Sequence, residues 1–114
     1  MNSILDSIKK MLGLEPDYKA FDMDIVMLIN SALLSLNQIG VGPETGFTVT
    51  DDKQTWDEFI GGRQDIDAVV SYVYMRVKII FDPPVSTSAM EAMKQTISML
   101  EWRINVQAEN SSID

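Results

Sequence analysis

Two consecutive prolines, Pro83 and Pro84, interrupt the most apolar part of this chain and limit the folds open to it. Proline fixes its own φ, removes a backbone donor and pushes the preceding residue out of the helical region, so the chain must turn at Phe81-Asp82-Pro83-Pro84. Upstream lies a segment from Asp65 to Phe81 whose β-branched residues Val69, Val70, Val73, Val77, Ile79 and Ile80, with Tyr72 and Tyr74, suit a strand on propensity alone. Length decides for a helix: strands usually run about five or six residues, and no turn signal breaks this segment. In a helix, Ile66, Val69, Val70, Val73, Val77 and Ile80 share one face. Tyr72, Met75 and Ile79 extend that face most of the way round, leaving Asp67, Ser71, Arg76 and Lys78 as polar relief. A helix apolar on most sides in a small chain is expected to be covered in part by another subunit.

Beyond the prolines, Ser88 and Glu91 form a capping-box pattern that predicts a helix from Ala89 to Val106. Met90, Met93, Ile97, Leu100 and Ile104 recur at alternating spacings of three and four, the seam of a helix packed along a near-parallel or antiparallel partner. The natural partner is the preceding helix, folded back across the proline corner. Met99, Trp102 and Val106 form a second stripe beside the first, and residues 107–114 read as a flexible tail.

The N-terminal half is built from shorter pieces. Ser3 is placed to cap a helix over residues 3–12, with Asp6 in its first turn, apolar Ile4, Leu5, Ile8, Met11 and Leu12, and Gly13 as stop signal; Lys9 and Lys10 sit where the helix dipole favours cations. The favoured reading lays this helix over the core, and the alternative makes residues 1–12 a mobile arm or a membrane-surface helix. A second helix is expected from Asp22, its cap, to Gln38. Ile25, Leu28, Ile29, Ala32, Leu33 and Leu36 form its buried face, Asn30, Ser31, Ser35 and Asn37 stay off it, and Gly40 gives a left-handed exit. Residues 40–54 carry three glycines and a proline and then Phe47 and Val49 among threonines, which predicts a long loop or a small hairpin. An extended segment there offers free backbone groups to a neighbouring chain; a surface loop with Phe47 tucked into the core is the alternative. Thr55 and Glu58 form a capping box opening a single turn that ends at Gly61-Gly62, in which Trp56 is either an interface anchor or, more in keeping with so short an element, the residue that fixes it to the core.

At 114 residues, one domain with one core is expected. Apolar runs are broken well before the roughly 20 residues of a membrane span, and the N-terminus lacks the pattern of a signal peptide, so a cytoplasmic protein with no membrane partner is expected. The chain has no histidine and no cysteine, which removes the usual zinc ligands, the commonest general base and the most reactive nucleophile. No nucleophile elbow, phosphate-cradling glycine loop or calcium loop is present. The expectation is therefore a protein without catalytic residues, metal or cofactor. Net charge is −8, and residues 21–62 hold seven carboxylates against Lys53 alone. Such a balance argues against a sequence-reading DNA-binding domain, which needs a basic stripe to engage phosphates.

Taken together, Leu36-Asn37-Gln38-Ile39-Gly40-Val41-Gly42-Pro43, Thr55-Trp56-Asp57-Glu58-Phe59-Ile60-Gly61, Phe81-Asp82-Pro83-Pro84 and the run from Leu100 to Glu109 (Leu-Glu-Trp-Arg-Ile-Asn-Val-Gln-Ala-Glu) follow in an order that resembles the head-tail connector, or adaptor, proteins of tailed bacteriophages and prophages of Gram-positive bacteria. The likeness covers nearly the whole chain. It implies an all-α subunit, a small bundle of about four to five helices, that assembles below the portal protein as a ring, dodecameric in the virion. Such a ring extends the DNA channel, docks head-closure or tail proteins, and contacts DNA only as it passes; its subunits are found in the host cytoplasm during assembly and then in the virion. Ring closure needs two complementary patches per subunit, for which Phe47, Val49, Trp56, Tyr72, Met75, Ile79 and Trp102 are the candidate interface residues. A β-rich head-closure or tail-completion protein and a helical protein-binding module outside phages are the alternative readings.

Overall fold

The computed structural model describes residues 3–61, 63 and 65–113, the stretch 110–113 by its backbone alone. Five helices follow one another: α1 (Ile4–Met11), α2 (Asp22–Gln38), α3 (Trp56–Ile60), α4 (Ile66–Phe81) and α5 (Thr87–Ile113). Among the described residues there is no strand, only an isolated bridge between Ser3 and Thr55, so residues 40–54 are a loop and not a hairpin. The chain is all-α, and α4 is its centre: α2 packs against one flank, α5 against another, and α1 lies across α2 and α4.

The helix ends show which local signals won. Ser3 Oγ accepts from the backbone N–H of Asp6 at 3.2 Å and caps α1 as expected. Both halves of the Thr55–Glu58 capping box form: Glu58 N–H donates to Thr55 Oγ1 at 3.1 Å, and Thr55 N–H donates to Glu58 Oε1 at 2.8 Å. Gly61 closes this short helix at φ +61°, while Gly62 lies outside the described residues.

Two expected caps are corrected. Asp22 makes no capping bond to α2, because its carboxylate turns instead to Lys9, 2.8 Å away. The last helix begins two residues early, at Thr87, because Ser86 rather than Ser88 takes the cap and accepts from Ala89 N–H at 3.1 Å. Nothing in the proline corner holds residues after Pro84 out of the helical region, so the earlier of two competing serines adds helical hydrogen bonds at no steric cost. The helix also continues past Val106 to Ile113. Gln107, Ala108 and Glu109 are good helix formers, and Ala108 is buried against the exit of α2, where Gly40 leaves room for it. Of the ends read as arm and tail, Met1, Asn2 and Asp114 lie outside the described residues.

The core joins Ile4, Leu5 and Ile8 of α1, Ile25, Ile29, Ala32, Leu33 and Leu36 of α2, Trp56, Phe59 and Ile60 of α3, Val69, Tyr72, Val73 and Val77 of α4, and Leu100, Ile104 and Ala108 of α5. The expected face of α4 is thus rotated at its end, with Tyr72 inside and Ile80 64% exposed. Antiparallel packing explains this. Arg76 reaches Ser31 and Ser35 of α2, whereas Phe81 meets Phe21 before α2 begins, so the last turn of α4 runs off the start of its partner.

Candidate functional site

The loop from Val41 to Gln54 is held to α2 by two asparagine side chains. Asn37 Nδ2 donates to the carbonyls of Val41 and Pro43, at 3.2 and 2.7 Å. Asn30 donates from Nδ2 to the Val49 carbonyl at 2.9 Å and accepts the Val49 N–H on Oδ1 at 2.8 Å. In doing so it completes both backbone bonds that a neighbouring strand would otherwise supply. The amide pairing draws Val49 into the core, 1% exposed, and leaves Thr50, Asp51 and Asp52 on the surface. Gly42 permits the loop's entry: at φ +90° a Cβ there would stand 2.5 Å from Cε1 of Phe59.

A second polar anchor lies beneath α1. Lys9 is fully buried and donates from Nζ to the carbonyls of Pro16 and Tyr18 at 2.9 and 2.7 Å, which ties down the α1–α2 linker. The Asp22 carboxylate, 2.8 Å away, completes the surroundings as an ion pair rather than an aligned hydrogen bond, and its buried Oδ1 has no other partner among the described residues. On the sequence alone Lys9 reads as a surface cation at a helix end; the structure makes it an interior strut.

A third network joins α2, α4 and α5. Tyr72 donates from its hydroxyl to Glu101 Oε2 at 3.0 Å, and Arg76 donates to the same hydroxyl at 2.6 Å and to Ser35 Oγ at 3.0 Å. Burial pushes the Tyr72 phenol above its ordinary pKa and outweighs the opposing pull of the Arg76 guanidinium. The network fixes packing. Among the described residues no group of three or more carboxylates gathers into a metal site.

The structure distributes the seven predicted interface residues over three environments. Val49, Trp56 and Tyr72 are buried within this chain: Trp56 donates from Nε1 to Ser7 Oγ at 3.2 Å and straps α3 to α1. Phe47, Met75 and Ile79 are half-buried, Phe47 lying 5.4 Å from Phe59 between ring centroids. Trp102 stands free on α5, 67% exposed. Apolar side chains outside that set are as open: Met23, Met27 and Leu34 on α2, Ile80 at the end of α4, and Val85 after the prolines. Met23, Met27 and Leu34 lie four and seven residues apart, on the side of α2 opposite its buried face. That spacing was available in the sequence, but the stronger core stripe of the same helix masks it.

Besides that outer stripe of α2, two outward features result. One is the apolar back of α5, with Met99 and Trp102 exposed. The other is a groove of about 590 Å³ between the start of α2, the loop at 49–52 and Leu5 of α1. Its floor is apolar, from Leu5, Val26 and Val49, and its edge carries Asp22, Asp51 and Asp52 together with Lys19. Among the described residues no helix is long and apolar enough to cross a membrane.

Comparison with curated proteins gives no match, and comparison with solved structures gives none. A family model described as "Phage connector protein" matches residues 4–111, from the first residue of α1 to within two residues of the end of α5. The chain belongs to the phage connector protein family.

Proposed function

We propose that this protein is a subunit of a ring at the head–tail junction, which binds below the portal protein, continues the DNA channel and presents a docking surface to head-closure or tail proteins. Family membership makes it a structural component of a phage virion that works among other virion proteins. The finer reading is carried by one observation: apolar side chains stand unburied on the outer faces of both α2 and α5, the helices that flank the central α4. A subunit with different apolar patches on different flanks can associate head to tail, and such contacts close into a ring when the rotation between copies permits. The net charge of −8 suits a channel wall past which DNA slides without adhering.

Electron microscopy of the purified protein, alone and mixed with the portal of the same phage, tests this. The expected result is a ring of this chain seated coaxially on the portal's narrow end. Because assembly can require the portal as template, a monomeric chain in isolation is compatible with the reading; failure to bind either portal or DNA-filled heads overturns it.

A further inference from the structure

The groove at the start of α2 and the indole on α5 differ in shape and charge in a complementary way. The groove has an apolar floor, and its edge carries Asp51 and Asp52 beside Lys19, the Asp22 carboxylate there being already paired with Lys9. Its volume of about 590 Å³ lies within the roughly 300–1,000 Å³ of cavities that enclose a ligand-sized group. Trp102, 67% exposed, is the largest apolar side chain on the surface of α5. Beside it the guanidinium of Arg103, also exposed, makes no ion pair or hydrogen bond among the described residues. A tryptophan next to an uncommitted guanidinium is the pairing that an apolar pocket with an acidic edge accommodates.

Within one chain the two cannot meet. Met23 and Asp22 border the groove at the first turn of α2, whereas Trp102 shares a surface hollow with Ile39, just past the last turn of the same helix. The rise of the helix between Met23 and Ile39 is about 24 Å. The two features therefore occupy opposite ends of α2, where a knob and a socket on one subunit serve two different neighbours.

We infer that the acidic-edged groove of one copy receives Trp102 and Arg103 of the next. The inference rests on the ring reading above and assigns the surfaces through which it closes. The indole covers Leu5, Val26 and Val49, and the guanidinium lies against Asp51 and Asp52. Each copy gives its α5 to one neighbour and its groove to the other.

The absence of native cysteine allows a clean trapping experiment on the full-length chain. Met23→Cys places a thiol on the groove lining at a residue 78% exposed, and Ser98→Cys places one a helical turn before Trp102; neither removes a group assigned to the contact. The two variants are oxidised separately and as an equal mixture at high protein concentration, while sedimentation velocity follows association of the unmodified chain. The expected result is a mixed 23–98 disulfide forming about tenfold faster than either symmetric one, as proximity in a specific contact requires. Trp102→Ala in the Ser98→Cys chain should return that rate to background, and Arg103→Glu should lower it. Equal rates in all three reactions overturn the groove assignment. If the chain nevertheless sediments as an oligomer, or binds portal, the ring reading survives without this contact. Predominance of the 23–23 or 98–98 product shows a two-fold contact and overturns the assignment as well. If the mixed product is absent and peptides carrying a Trp-Arg pair from other virion proteins protect the Met23→Cys thiol instead, the groove belongs to a heterologous partner and the self-contact is refuted.

Discussion

At the scale of single residues, the strongest constraint is Lys9. A buried ammonium is tolerated only when its charge and donors are met, and here two carbonyls accept its hydrogen bonds while the Asp22 carboxylate balances its charge. Replacing Lys9 with Met strands the carbonyls of Pro16 and Tyr18 and leaves Asp22 without its counter-charge. Breaking a buried pair from one side costs about 3–5 kcal/mol; because the Asp22 side chain is 24% exposed and water can reach it, the lower end of that range is expected. Urea denaturation of Lys9→Met should show this loss, and Asp22→Asn a smaller one, since Lys9 keeps both carbonyls. None of this could be read from the sequence. Lys9 follows Ile8 near a helix end, a position where exposed lysines are routine, and only the path of residues 14–21 over it makes it interior. The asparagines were hidden for a related reason: their spacing placed Asn30 and Asn37 off the core face, and that is where the 41–54 loop comes to lie.

At the scale of elements, helix type was legible throughout and helix ends only in part. The length of the 65–81 segment outweighed its β-branched composition, and it forms α4. The Thr55–Glu58 box was readable because its two reciprocal bonds need only residues three apart. The start of α5 was not, since Ser86 and Ser88 are both good caps and the choice depends on how soon after Pro84 the backbone can wind. The roles are separable by experiment. Ser86→Ala should cost about 1 kcal/mol, while Ser88→Ala, which removes only an exposed hydroxyl, should stay within about 0.5 kcal/mol; thermal unfolding followed by circular dichroism distinguishes them. The interface candidates sit in different surroundings for a physical reason. An apolar residue on a helix does not announce whether its own chain or another will cover it, so Tyr72 and Trp56 went inside while Met23 and Met27, on a helix whose core stripe was already complete, stayed out.

At the scale of the whole molecule, the family resemblance carried more than periodicity could, because its signature is an order of weak motifs spread over nearly the full length. The all-α class followed from patterning, and the expectation of one core rested on length; the second set of apolar stripes was read from neither. Charge has its own consequence. With a balance of −8 and carboxylates concentrated in residues 21–62, the protein should not retard duplex DNA in gel electrophoresis even at about 50 mM salt, where phosphate contacts are strongest. A stable shift would show a basic surface created by assembly and would count against the proposed channel-wall role.

The 27 residues of α5 amount to a rod of about 40 Å, close to the molecule's greatest extent of 43 Å. Such a beam joins its own two ends through one unbroken run of helix. In the proposed ring, neighbours held at the Thr87 and Ile113 ends of α5 would be linked through one unbroken helix, so that a displacement imposed at one contact would be felt at the other.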